Sequence, residues 1–507
     1  MELCATLPNV NIDTSLSALL HRNTRFIPKK AIGGKGSYLF LEDGQRVLDS
    51  TGGAAVSCLG HGNDKINAAV ISQINQLSYC HTAFFGTQVS EDLAKFLVDS
   101  TGGKLSKLYV VSSGSEAMEA ALKLARQYYL ELPTSQPKRT RFIARLPSYH
   151  GITLGALSVS GHVSRREPFE PLLGQNTSHV SPCFAYRGKK EHESDADYVA
   201  RLATELDAEF QRVGPENVCA FIAEPVVGAV CLLSRFPFYL YEVSMLTDTQ
   251  ALGCVPAVPG YFPAMKAVCE RHGALFILDE VMSGMGRCGT LHAWEQEGVI
   301  PDIQTIGKGF GGGYVPVSGV LMADHIVQAM DKGTGVFRHG QTYQGHPVAC
   351  AAALAVQKVI QEENLLENVR EMSAYLESQL KGCLGSHPHI GDIRGKGLFW
   401  GVRQLPTLPI NIVYKHMLTV TFQQIEFVKD KTTKEPFNPE TGVAGLIQET
   451  GLMPSYDISL YAAAGTVDGI RGDHALLAPP YNVSKEEIDF IVETTERVVK
   501  DVFAQVV

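Results

Sequence analysis

Between about residues 105 and 325, short β-branched and apolar runs alternate with stretches that read as helix. The runs are Leu108 to Val111, Phe142 to Arg145, Val218 to Ala223, Leu275 to Leu278, Ile303 to Ile306 and Ser318 to Met322. A strand that is apolar throughout needs cover on both faces, and strands separated by helices pair in parallel. The alternation therefore predicts an α/β domain with a mostly parallel sheet. A chain of 507 residues, 45% hydrophobic and 19% charged, has material for a large core and for two domains. Before the alternating region, Tyr38 to Leu48 carries an Asp43-Gly44 turn signal between two strands. After it, Pro347 to Leu380 reads as long helices, followed by strands and a final helix from Lys485 to Phe503. The expected division is a large domain over 61–345 and a smaller α+β domain built from both chain ends, 1–60 and 346–507.

Forty-four Lys plus Arg against 53 Asp plus Glu give a formal charge of -9, so no basic face is implied for nucleic acid or an anionic membrane. A small-molecule partner is expected. The eleven cysteines are scattered, odd in number and without a CxxC pair, which reads as reduced thiols; no metal site is expected. Met1 to Leu20 shows no leader pattern, no run is long and apolar enough to span a bilayer, and Phe503 to Val507 match no lipidation signal. Cytoplasmic location is the expectation.

Three segments carry chemistry. Thr305-Ile306-Gly307-Lys308-Gly309 places a lysine at the end of an apolar strand between residues without side chains. That leaves room for a bulky group on the ε-nitrogen and an environment able to lower its pKa for Schiff-base chemistry. Ala274 to Val281 runs four apolar residues into Asp279-Glu280, an acid at a strand end where a protonated pyridine nitrogen would find its counter-charge. Val111-Ser112-Ser113-Gly114-Ser115-Glu116 joins a strand to a helix through small hydroxyl residues, a junction whose free N–H groups suit a phosphate. Each has a plainer reading: a solvated lysine, an Asp N-cap, and a Ser N-cap with Glu116 in the first turn. In this chain order the three compose a site for pyridoxal phosphate.

The sequence resembles the class III, or omega, aminotransferases of the fold type I pyridoxal-phosphate enzymes. The matching stretches are Ser112 to Ala117, Tyr149-His150-Gly151, Ala223 to Val226, Leu278 to Arg287, Thr305 to Gly309, His339 to Pro347 and Arg394 to Leu398. The resemblance implies Lys308 as the Schiff-base lysine and proton carrier, with Asp279 against the pyridine nitrogen. It implies Ser113, Gly114 and Ser115 at the phosphate, Tyr149 and Val281 on the two ring faces, His150 beside the cofactor, and Glu224 in the substrate pocket. Thr342 would reach the phosphate in the partner subunit, which implies a homodimer with shared active sites. Phe84, Arg394 and Arg471 are the candidate substrate contacts. Two departures stand out: Met282 occupies a position where several relatives have Gln, and Arg471 does not align securely with the carboxylate-binding arginine that members acting on amino acids carry. The implied reaction is ping-pong transfer of an amino group from an amine or amino acid to a keto acid, aldehyde or ketone, with an omega-amino acid, a diamine or a polyketide-like ketone of secondary metabolism all open. Decarboxylation, 1,2-amino migration and a catalytically impaired dimeric product are the alternatives.

Two segments interrupt the resemblance. Residues 230–250 separate Pro225 to Ala229 from Ala251 to Pro256, and residues 402–424 separate Leu398 to Gly401 from Ile425 to Val428, which joined would make one strand. A polar, proline-bearing stretch inside a strand conflicts with a paired ladder. Both segments begin with Val, end with Gln and contain Met-Leu-Thr near the end, residues that GT, CAG and a CTAAC- or CTGAC-type codon pattern can encode. They are read as retained introns translated in frame, the alternative being two surface loops.

Overall fold

Every apolar run of the alternating region becomes a strand. The computed structural model describes residues 17–22, 24, 27–228, 253–398, 401–402, 422–467 and 471–506. Its first strands, β1 (Ala31–Lys35), β2 (Tyr38–Leu41) and β3 (Arg46–Asp49), form an antiparallel meander. The large sheet follows with β4 (Lys107–Val111), β5 (Arg141–Arg145), β6 (Thr177–Val180) and β7 (Val218–Ala223). A short hairpin, β8 (Val226–Val227) with β9 (Val255–Pro256), precedes β10 (Leu275–Asp279), β11 (Ile303–Ile306) and β12 (Ser318–Met322). The order in the large sheet is β4-β12-β11-β10-β7-β5-β6, parallel except for β12, which runs antiparallel to both its neighbours.

Helices cover both faces of this sheet, as apolar strands require. On one side the helix Gly114–Glu131 buries Ala117, Ala121 and Leu124 against Ile277, Ile303 and Val320. On the other, Asp195–Val213 and Tyr261–Arg271 pack Leu206, Phe210 and Phe262 on Phe221, Phe276 and Leu278.

The remaining strands are β13 (Ile390–Gly395), β14 (Gly401–Val402), β15 (Phe422–Phe427), β16 (Ile458–Ser459), β17 (Tyr461–Ala463) and β18 (His474–Leu476). β16 pairs in parallel with β3, so the late chain completes the N-terminal sheet. One core contains Leu48, Leu59 and Ile66 together with Leu376, Ile393, Phe427, Ile491 and Phe503. Both chain ends thus share one interior. The final helix runs Lys485–Val506. Among the described residues no helix is long and apolar enough to cross a membrane.

The interrupting segments lie outside the described residues, 230–250 entirely and 402–424 over 403–421. Their flanks are described. Val226 and Val227 of β8 face Pro256 and Val255 of β9, which brings the two sides of the first segment together. At the second, Gly401 pairs with Arg394, and both Val402 and Ile425 pair with Ile393. The single strand expected from Leu398 into Val428 is present as two, each antiparallel to β13, because the intervening residues separate them.

Candidate active site

Five strands of the large sheet end at one crevice. β4 leads into Ser112 to Ser115, β5 into Tyr149 and His150, β7 into Glu224, β10 ends on Asp279, and β11 passes through Gly307 to Lys308. The carboxyl ends of parallel strands deliver their following residues to the same side. These residues line a cavity of about 380 Å³ together with Val281, Met282, Ser318, Tyr461, Arg22 and Arg165.

Lys308 has φ 47°, a left-handed conformation that residues with a side chain seldom adopt. The turn admits nothing larger than glycine before it, since a Cβ on Gly307 would lie 2.6 Å from Ser318 Oγ. The lysine side chain is partly exposed to the cavity while protein surrounds its nitrogen. That loss of water pushes the ammonium down to about 8, against the opposing pull of the Glu224 and Asp279 charges.

Asp279 is oriented by three donors. His150 Nδ1 lies 2.8 Å from Oδ2, Thr305 Oγ1 donates to Oδ1 at 3.0 Å, and Val281 N donates to the same oxygen at 3.1 Å. The strand register makes this possible, because Thr305 of β11 stands directly beside Asp279 of β10. His150 is itself fixed, its backbone N donating to Ser160 Oγ at 2.8 Å. Glu224 accepts from Tyr149 N at 3.0 Å and from Gly228 N at 2.9 Å. Burial raises its pKa, with the Asp279 charge adding to the rise and His150 and the two amides opposing it.

The start of the helix Gly114–Glu131 is capped as the plainer reading of its sequence expected. Ser113 is the N-cap and accepts from Glu116 N at 3.2 Å, while Glu116 reaches back to accept from Ser112 N at 2.7 Å, a variant of the capping box. The amides of Gly114 and Ser115 belong to the first turn, which has no intrahelical acceptors. Gly114 is required sterically: a Cβ there would sit 2.8 Å from Val281 Cγ1. First-turn amides for a phosphate, a buried, oriented carboxylate for a ring cation and an amine of lowered pKa for a carbonyl carbon are together the donor set that pyridoxal phosphate needs.

The substrate candidates fall elsewhere. Arg394 is buried, 2.8 Å from Asp392 Oδ2 and 2.7 Å from Glu426 Oε2, and does not line the cavity. Arg471 is exposed and also outside the lining. Phe84 is 77% exposed, and Thr342 is exposed with its carbonyl accepting from Tyr79 Oη at 3.0 Å; neither lines the cavity of its own chain. Sequence reasoning passed over Arg165 and Arg22. Arg165 stands in a doublet with Arg166, and nothing in the spacing separates one from the other.

The profile of the family described as Aminotransferase class-III matches residues 20–252 and 249–419. An aminotransferase of Gibberella zeae is 46% identical over 473 residues, covering 93% of this chain and 84% of the relative. A thermostable (S)-enantioselective omega-transaminase from Thermomicrobium roseum superposes with a TM-score of 0.81 at 32% identity, covering 97% of both chains. The omega transaminase from Pseudomonas jessenii, solved in complex with PMP, gives a TM-score of 0.82 at 26% identity over 97% of this chain and 98% of its own.

Proposed function

The chain belongs to the class-III aminotransferases, and from that premise we propose how its residues divide the work of transamination. It is a pyridoxal-phosphate-dependent transaminase of fold type I, which takes an amino group from a donor and delivers it to a carbonyl acceptor in two half-reactions. Decarboxylation, amino migration and an impaired product are not favoured by these relatives. The bound cofactor supplies an electrophilic carbon for amines and a protonated ring able to accept an electron pair.

Lys308 is the residue that meets that carbon, and its Nζ takes and returns the substrate proton. The lowered pKa keeps a usable fraction of the nitrogen unprotonated near neutrality. Asp279 holds the ring's proton in place, and His150 and Thr305 keep its carboxylate from rotating away. Ser113, Gly114 and Ser115 bind the phosphate, Tyr149 and Val281 enclose the ring, and Glu224 lies beside Lys308 in the substrate half. The active form is a homodimer to whose sites Thr342 and Phe84 of the partner subunit contribute. Supporting this are Phe84 and Phe85, 77% and 64% exposed and packed edge to face, an aromatic pair costly to leave in water. The free cysteines of the described residues agree with a reducing, cytoplasmic setting.

The observation that carries the reading is the placement of Lys308 on one cavity wall with Asp279, Glu224 and the helix start. Absorbance spectra of the purified chain with pyridoxal phosphate test it, before and after an amine donor, beside Lys308→Ala. The native chain is expected to turn yellow and bleach with donor, and the variant to lose at least 100-fold in the rate of bleaching, the lower end of what a positioned proton carrier contributes. Equal bleaching in both would remove Lys308 from the mechanism.

A further inference from the structure

The turn that presents Lys308 to the cavity is braced by side chains from distant parts of the chain. Lys308 to Phe310 make a 3-10 turn, in which Lys308 holds its left-handed backbone. Such a conformation persists only where the surroundings fix it. The carbonyls of Gly309 and Phe310 accept from Nε2 of Gln357, on the helix Pro347–Glu362, at 3.1 and 3.0 Å. The thiol of Cys58 adds a longer contact to the Gly309 carbonyl, 3.5 Å. Burial pushes that thiol up to about 12, so it stays protonated and donates. Gly309 also lies against Tyr481, whose Oη would be 2.9 Å from a Cβ added there.

Gln357 sits among apolar neighbours on its own helix, where Leu354, Val356, Val359 and Ile360 are buried. It is itself 1% exposed, and its Oε1 meets no donor among the described residues. An apolar side chain would avoid burying that unpaired oxygen. What the amide gains is the turn: its NH2 group satisfies two carbonyls that the helix and the sheet do not. Reversing the amide would set Oε1 against both carbonyl oxygens, so the network fixes its orientation.

We propose that Gln357 is a positioning residue for the reaction: by holding the Gly309 and Phe310 carbonyls it fixes the turn, and with it the direction in which Lys308 extends into the cavity. Gln357 does not line that cavity and acts only through the turn. Cys58 supports the same carbonyl more weakly. The proposal rests on Lys308 as the reacting amine. A reacting group displaced by about 1 Å can cost about 100-fold in rate, so the effect falls on kcat and not on KM.

The test compares full-length variants. Gln357→Met keeps the length of the side chain and removes the donor, while Val359→Ala, buried on the same helix in the core that both chain ends share, controls for lost stability. Each is measured by its thermal midpoint, by the rate at which the cofactor-free chain captures pyridoxal phosphate, and by kcat and KM with 5-aminopentanoate and pyruvate. In Gln357→Met both rates are expected to fall by about 10- to 100-fold with KM within about threefold. Val359→Ala should lower the midpoint and leave both rates within about twofold. If Gln357→Met does not fold, Cys58→Ala decides, with an expected loss of about two- to fivefold in capture. Capture as fast as in the unaltered chain, or a loss that Val359→Ala matches, overturns the proposal. If Lys308→Ala captures pyridoxal phosphate as fast as the unaltered chain, the lysine reading fails and the proposal with it.

Discussion

At the residue scale the site depends on what burial does to charge. Lys308 and Asp279 were legible because each sits at the end of an apolar run, where a charged residue is costly without a task. Their partners were not: Thr305 reaches Asp279 through strand register, and His150 comes from 129 positions earlier in the chain. The lysine yields a pH prediction. Its folded-state pKa is lowered to about 8 from an ordinary 10.5, so the reactive, unprotonated amine grows as pH rises toward about 8 and is nearly complete above it. The rate at which the cofactor-free chain captures pyridoxal phosphate, followed by absorbance, is expected to climb about tenfold per pH unit below 8 and flatten beyond it. A rate still climbing above pH 9 would show that burial does not set this nitrogen. Arg165 was illegible for a plain reason: an arginine doublet carries no sign of which member faces a cavity.

At the element scale the strands and helices followed from apolar runs and caps, since both are local properties. The helix Gly114–Glu131 starts where Ser113 and Glu116 place it, and the hairpin turns at Asp43-Gly44 between β2 and β3. The interrupting segments are the exception, because a strand split by an insertion has no local signature beyond its broken pattern. Val402 and Ile425 both stand opposite Ile393, but on opposite edges of β13, so the two flanks are separate strands of the sheet. We expect deleting most of 403–421, with a short linker left between β14 and β15, to stabilise the protein by about 1 kcal/mol through a lower loop-closure entropy cost, a shift of a few degrees in the unfolding midpoint. Thermal unfolding of the deletion variant beside the full chain checks it. A lowered midpoint would mean the segment is an integral part of the fold.

At the scale of the whole molecule, the exposed aromatic pair Phe84 and Phe85 and the position of Thr342 outside its own cavity motivate the proposed second copy. Sedimentation is expected to give a dimer at micromolar concentration. Phe84→Glu should shift the chain toward monomer and weaken pyridoxal-phosphate retention in parallel; a monomeric native chain that holds the cofactor would refute the shared site. The sequence by itself determined the α/β architecture, the caps, the strand-end lysine and aspartate and the family, because each is written in a run of neighbouring residues. Only the tertiary structure decided that five strand ends share one cavity, that Arg394 is spent on a buried ion pair with Asp392 and Glu426, and that Arg165 and Arg22 line that same cavity. Those outcomes depend on strand order and on which side chains meet across the sheet, and contacts between residues distant in the chain leave no spacing to read.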